Sequence, residues 1–422
     1  MTLFAPFALP APPAVTPSTL PVSTSSRALT FATSATSASG RADVCVSGSG
    51  AVAMALALAL SAEGFSVAWA RAEAFAAPHS ADVRTYALNA RAIALLTRLR
   101  VWPALREWSA PVFDMQIRGD DGGALGFSAW QQHLTELAWI ADAGALERLL
   151  SEALRYAPRV TVVPPLQDGR APVPCDLLAI CEGKHSDTRR ALGVSFDRQD
   201  YGHWGVAARL RASRPHQGVA RQWFRAPDVL ALLPFNQPEP EASYGLVWSV
   251  PEARARELLD LPPAAFEAAL REAIAQSQPE ALAQAGELSL ASEVASWPLA
   301  LAQAERWSGP GWVLLGDAAH QMHPLAGQGL NLGLADVDTL VSVLHEARLQ
   351  EPWRTAGDER TLRRYARRRE WPTRSMATLT DGMLQLFADE RGPLKAVRNS
   401  GMRLVEQLGP IKTWLVGRAL GG

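Results

Sequence analysis

Gly316-Asp-Ala-Ala-His-Gln-Met-His-Pro-Leu-Ala-Gly-Gln-Gly-Leu-Asn-Leu-Gly333 is the stretch on which the reading of this chain turns. It follows Trp312-Val-Leu-Leu315, an apolar run of the kind that fills a buried strand, so Asp317 is expected at a strand end. In open α/β sheets ligands sit beyond the carboxyl ends of the strands, and a carboxylate there accepts hydrogen bonds from ligand hydroxyls. Gly316 makes the turn. Pro324, Gly327 and Gly329 then lead through Leu330 and Asn331 into a long helical segment. The free N–H groups of such a helix start carry partial positive charge and face an anionic ligand atom.

Two earlier stretches end strands in the same manner. Asp43-Val-Cys-Val-Ser47 is a β-branched run that stops at Gly48-Ser-Gly-Ala-Val-Ala53, continues as a helix to Glu63 and returns as the strand Ser66-Val-Ala-Trp-Ala70, a βαβ unit. Gly48 and Gly50 suit a tight turn whose backbone approaches a pyrophosphate. Ala53 stands at the third glycine position, and Arg71 stands about 20 residues on, where an acid would grip a ribose. Taken alone, this turn also fits an ordinary βαβ connection. Asp176-Leu-Leu-Ala-Ile180 is a further apolar strand, followed by Cys181-Glu-Gly-Lys-His-Ser-Asp-Thr-Arg-Arg190. There Glu182 and Gly183 let a loop close on a dinucleotide while the cations meet phosphate; a solvated turn is the alternative.

Composition narrows the class. The chain has 422 residues, 48% of them hydrophobic, and a formal net charge of −1, which suits a globular protein and makes nucleic acid a poor partner. Three cysteines without C-x-x-C spacing point to neither a disulfide framework nor a zinc site. His320 and His323 have no third ligand nearby and read as packing residues, so no metal is expected. The apolar stretch Ala51 to Leu60 is far short of the ~20 residues of a membrane span. Residues 1–41, rich in Ala, Pro, Ser and Thr, are expected to form a disordered leader, and the expected location is the cytoplasm.

The three motifs, in this order, resemble the class A flavoprotein monooxygenases. Together with Leu362-Arg-Arg-Tyr-Ala-Arg-Arg-Arg369, Thr380-Asp-Gly-Met-Leu-Gln-Leu-Phe387 and Arg398-Asn-Ser-Gly-Met-Arg-Leu-Val405, they are similar to the ubiquinone-biosynthesis hydroxylases, from about residue 42 onward. The resemblance implies an α/β fold: a Rossmann-like FAD-binding domain of the GR2-type flavoprotein monooxygenase fold, a second sheet-containing substrate domain and C-terminal helices. The expected division is FAD-binding segments 42–110, 141–195 and 296–345, substrate-domain segments 111–140 and 196–295, and a helical region 346–422.

The resemblance also implies non-covalent FAD, held by Gly48 and Gly50 at the pyrophosphate and Asp317 at the ribityl-phosphate region. Gly329, Leu330 and Asn331 would face the pyrimidine edge, with Arg84 near the flavin. It implies NAD(P)H or another electron donor, O2 as co-substrate, and transfer of oxygen from a C4a-hydroperoxyflavin to a phenolic ring, with no protein acid–base pair. The substrate would be an aromatic, prenylated small molecule. Ala53, Arg71, Glu182 and Gly144 depart from the family pattern. Two alternatives therefore stand beside the enzyme: a non-catalytic subunit of a quinone-biosynthesis assembly, and a hydroxylase of soluble aromatic substrates. Trp204, Trp223, Phe224, Phe235 and Trp248 read mainly as core, with some lining of an aromatic pocket. Basic and apolar residues alternate over 391–422, which suggests peripheral contact with the membrane inner face or with quinone-biosynthesis proteins.

Overall fold

The computed structural model describes residues 40–71, 82–119, 123–322 and 328–388. The leader, apart from Gly40 and Arg41, and the segment 391–422 lie outside them. Arg41 pairs with Asp176 at the start of the first sheet.

That sheet has six strands in the order Ser308–Gly309, Trp312–Leu314, Cys175–Ile180, Ala42–Ser47, Val67–Ala70, Val160–Val163. Val44 lies opposite Val67 on one side and Leu177 on the other, both in parallel register. The apolar runs found in the sequence are thus neighbouring strands. Their carboxyl ends, at Ser47, Ile180 and Leu314, come together, because Ser47 pairs with Ile180 and Ile180 with Leu314. The Ala51–Ala62 helix is almost entirely Ala and Leu and is buried all round. It packs against the Ala143–Leu154 and Gln328–Gln350 helices as well as the sheet. A helix apolar on every face has to be covered on every face.

A second, nine-stranded sheet is built around the long strand Phe196–Ala212, which pairs antiparallel with Ser243–Pro251 on one side and Ala295–Ala304 on the other. Beyond Ser243–Pro251 come Asp228–Phe235, Val219–Arg225, Asp114–Arg118 and the edge strand Ala124–Ser128. The helices Glu252–Asp260 and Pro263–Ser277 cover one face, where Trp223, Trp248, Phe266 and Leu270 form a core with Trp204 packed against it. A third sheet, Thr85–Leu88, Ala138–Asp142 and Ser109–Val112, lies over part of the opposite face through Val112 and Ile140 against Ala220, Leu233 and Phe235. All five aromatics singled out in the sequence are therefore core or packed on it, and Phe224 also reaches the cavity described next. No helix among the described residues is long and apolar enough to cross a membrane.

Candidate active site

The three strand ends open into one cavity of about 1580 Å³, lined by both the glycine loop and the uncovered face of the large sheet. Small-ligand pockets run to roughly 300–1,000 Å³, so this space exceeds what one small molecule fills.

At its nucleotide end, Gly48 has φ +128°, and a methyl group there would collide with the carbonyl oxygen of Cys181. Only glycine allows this approach of the first and second motifs. The Ala51–Ala62 helix begins directly behind it with no side chain capping its first turn, which leaves N–H groups for an anion. Trp69, on the second strand, donates its indole N–H to the Gly48 carbonyl at 2.8 Å and so holds the turn from below.

Asp317 faces into the cavity, where it is open to solvent but surrounded by protein groups. Those surroundings raise its carboxyl above the ordinary carboxylate range, against the pull of His320, Lys184 and Arg84. Behind it, Asp336 is fully buried and accepts from the Gly316 N–H at 2.9 Å, from Arg369 at 2.6 Å and shares a 2.6 Å hydrogen bond with His320. Burial alone would raise the Asp336 carboxyl, but His320 and Arg369 hold it below the usual range. His320 is stacked on Trp307, so it is occupied as a structural residue.

Glu182 lines the cavity and also binds its neighbouring loops together. Its carboxylate accepts from Ser47 at 2.5 Å, from Ser186 at 2.7 Å and from the Thr188 hydroxyl and N–H at 2.6 and 3.1 Å, tying the first motif to the start of the Asp187–Ala191 helix. Arg189 lies buried over Phe196 and donates to the carbonyls of Ala318 and Lys184, both at 2.9 Å, which bridges the second and third motifs. Arg71 stacks its guanidinium on Trp69, 5.2 Å from the ring centre. Arg84 lines the cavity, paired with Asp82 at 2.6 Å and 3.8 Å from Glu147, and the Asp82 hydrogen bond raises its affinity for its proton. Burial pushes the neighbouring Tyr86 hydroxyl up to about 12, so it stays a neutral donor.

Of the residues singled out in the sequence, Gly48, Gly50, Arg84, Glu182, Gly183, Asp317, Gly329, Leu330 and Asn331 come together on the cavity wall. Ala53 is fully buried in its helix and Gly316 lies in the wall behind Asp317. Pro324, Gly327 and His323 lie outside the described residues. Asn331 also holds the Thr85–Leu88 strand in place, its amide donating to the Ala87 carbonyl at 2.7 Å and accepting from the Asn89 N–H at 3.2 Å. Gly144 sits in the first turn of the Ala143–Leu154 helix, capped by Asp142, whose other partner is Arg209 of the large sheet at 2.7 Å. Asp336, Arg369, Arg189 and Trp69 were not foreseen as site residues.

The glycine cradle, the uncapped helix start and the cavity-facing carboxylate fit the pyrophosphate and ribityl groups of a flavin dinucleotide. The arrangement is that of a flavoprotein monooxygenase: this is an FAD-dependent oxidoreductase that inserts one oxygen atom. The chain belongs to the FAD-binding-domain family, whose model matches residues 146–379. It is similar to the ubiquinone hydroxylase UbiL of Rhodospirillum rubrum, 29% identical over 81% of this chain and 80% of the relative. It is equally similar to the 3-demethoxyubiquinol 3-hydroxylase of Escherichia coli, 29% identical over 82% of this chain and 89% of that one. Among solved structures, PqsL of P. aeruginosa, in complex with 2-aminobenzoylacetate, superposes with TM-score 0.70 at 18% identity over 86% of this chain and 100% of its own. The p-nitrophenol 4-monooxygenase PnpA of Pseudomonas putida does so with TM-score 0.68 at 18% identity over 89% and 96%.

Proposed function

We propose that this protein hydroxylates the ring of a prenylated phenol on the route to ubiquinone. The observation that carries the reading is the continuity of one cavity from the glycine loop and Asp317 to an apolar sheet face. FAD, when bound, supplies the oxygen-transfer chemistry once a nicotinamide or another donor has reduced it and O2 is present. The chain's own residues bind, orient and exclude water. N–H groups at the start of the Gln328–Gln350 helix, around Gly329 to Asn331, offset negative charge on the flavin pyrimidine. Arg84, on the cavity wall, is assigned to the flavin, and Gly48, Gly50 and Asp317 to the rest of the dinucleotide. Arg71, Glu182 and Gly183 act on the loops that frame it.

A prenylated substrate is delivered from a bilayer, so we assign the basic and apolar segment 391–422 to peripheral contact with anionic lipid or with other quinone-biosynthesis proteins. Flotation with anionic liposomes at low salt should carry the full chain upward but not a version ending at Glu390.

The central test is the purified protein itself. It should show a flavin absorption spectrum, oxidise NAD(P)H or accept electrons from a supplied donor, and add one oxygen to a prenylated phenol detected by mass spectrometry. A protein that cannot take up FAD would instead be the non-catalytic subunit that Arg71, Glu182 and Gly144 raise. Turnover of short soluble phenols alone would make it a hydroxylase of soluble substrates.

A further inference from the structure

The uncovered face of the large sheet has an internal order that its strand registers disclose. Ala207 lies opposite Val247, Val247 opposite Ala231, Ala231 opposite Gln222, Gln222 opposite Ile117 and Ile117 opposite Leu125. Partners across strands project to the same side, and all six line the cavity. They form a straight row that crosses six strands at right angles to the chain, five interstrand spacings or about 24 Å from end to end.

The row carries no charge and one polar side chain, Gln222. Its two alanines leave a depression between larger neighbours. On one flank, Leu233 and Ala220 are roofed by Val112 and Ile140 of the three-stranded sheet; on the other stand Trp297 and Phe224. The row also has a direction. The large sheet begins at His320–Gln321, which follows Asp317 closely and pairs with Ala295–Ala304, and it ends at the edge strand Ala124–Ser128. The cavity wall leads from Gln321, near Asp317, along Ala300, Leu299 and Trp297 of that strand to Gly205 and Ala207, so the Ala207 end of the row is the one reached from the flavin site, and the Leu125 end lies at the sheet margin.

We propose that this row is a trough for a linear hydrocarbon tail on the substrate, and that Ala231 at its middle governs the tail length admitted. A ring held beside the flavin, at the Ala207 end, points its tail along the row. A tail of up to about 24 Å is covered before it reaches the margin, with apolar burial as the attractive force. The inference rests on the hydroxylase reading for the ring end of the site and on sheet register for the rest.

The test compares the FAD-loaded protein with Ala231→Phe and Ile117→Trp, using a phenol with one prenyl unit, a phenol with a long polyprenyl chain, and a long polyprenyl alcohol that lacks the ring. In Ala231→Phe the added ring fills the middle of the trough. KM for the long-tailed phenol should rise about tenfold or more, with kcat/KM for the one-unit phenol unchanged. Calorimetric binding of the polyprenyl alcohol should weaken by the same factor. Ile117→Trp should penalise the long chain alone, and it carries the test should Ala231→Phe lose its flavin. Equal effects on both phenols, or wild-type protein that binds the polyprenyl alcohol no more tightly than a one-unit alcohol, would overturn the trough. Ala231-dependent binding of the alcohol without hydroxylation of any phenol would uphold the trough and remove the hydroxylase reading.

Discussion

Gly48 and Gly50 share one turn, yet a methyl group meets different surroundings at each. At Gly48 it would strike the Cys181 carbonyl with the backbone already at φ +128°, whereas at Gly50, with φ −81°, it meets open space. Gly48→Ala should therefore lower folding stability by about 2 kcal/mol or more, and Gly50→Ala should leave the denaturation midpoint unchanged while weakening FAD. Equal midpoints for the two variants in guanidinium would contradict this. Asp317 makes the complementary case. It is open to the cavity and its carboxyl lies above the ordinary range, so the charged form adds nothing to folding, and Asp317→Ala should keep the far-UV circular dichroism of the parent. A ligand hydroxyl bonded to that carboxylate would be lost, and FAD dissociation should quicken about tenfold or more. Because the carboxylate forms only as pH rises through this raised value, FAD retention in the parent should improve over the same interval, and Asp317→Ala should flatten the dependence.

At the scale of elements, each of the three motifs was legible because each lies at the end of an apolar strand, and parallel strands bring their ends together. What joins them was not legible. Asp336 reaches Gly316, His320 and Arg369 across 16 to 33 positions, and no local pattern marks such a partnership. Glu182 was visible as an acid in the second motif, whereas its bonds to three nearby hydroxyls, those of Ser47, Ser186 and Thr188, were not. The trough was hidden for a related reason: its six residues lie on six strands, and only register aligns them. The Asp336 hub yields a prediction. Arg369→Met leaves a buried carboxylate with two of its three partners and should cost about 3–5 kcal/mol, read from denaturant unfolding. Asp336 titrates below its ordinary 3.8 in the folded chain. The stability it adds is thus complete above that value and lost as pH falls through the folded one. Asp336→Asn should be less stable than the parent at neutral pH and converge with it in acid; a constant gap would count against the hub.

Across the whole molecule, the chain from Gly40 onward forms one compact unit, and the cavity draws its wall from all three sheets. The parallel sheet contributes Gly48 and Glu182, the three-stranded sheet Thr85 and Ile140, and the large sheet Trp297 and Val247. A dinucleotide seated there would touch the strand ends of the first sheet and, at Asp317 and the start of the Gln328–Gln350 helix, approach the margin of the large one. Its binding energy then enters the folding equilibrium of the unit rather than of one lobe. Free FAD at a hundred times its dissociation constant should add about 2.7 kcal/mol to unfolding. Calorimetry should accordingly record one transition for residues 40 onward that moves upward with FAD concentration, and moves again when a long-tailed phenol is added. A transition that FAD leaves in place, or one that splits so that only part of the heat responds, would show that the sheets do not share the site as their common wall requires.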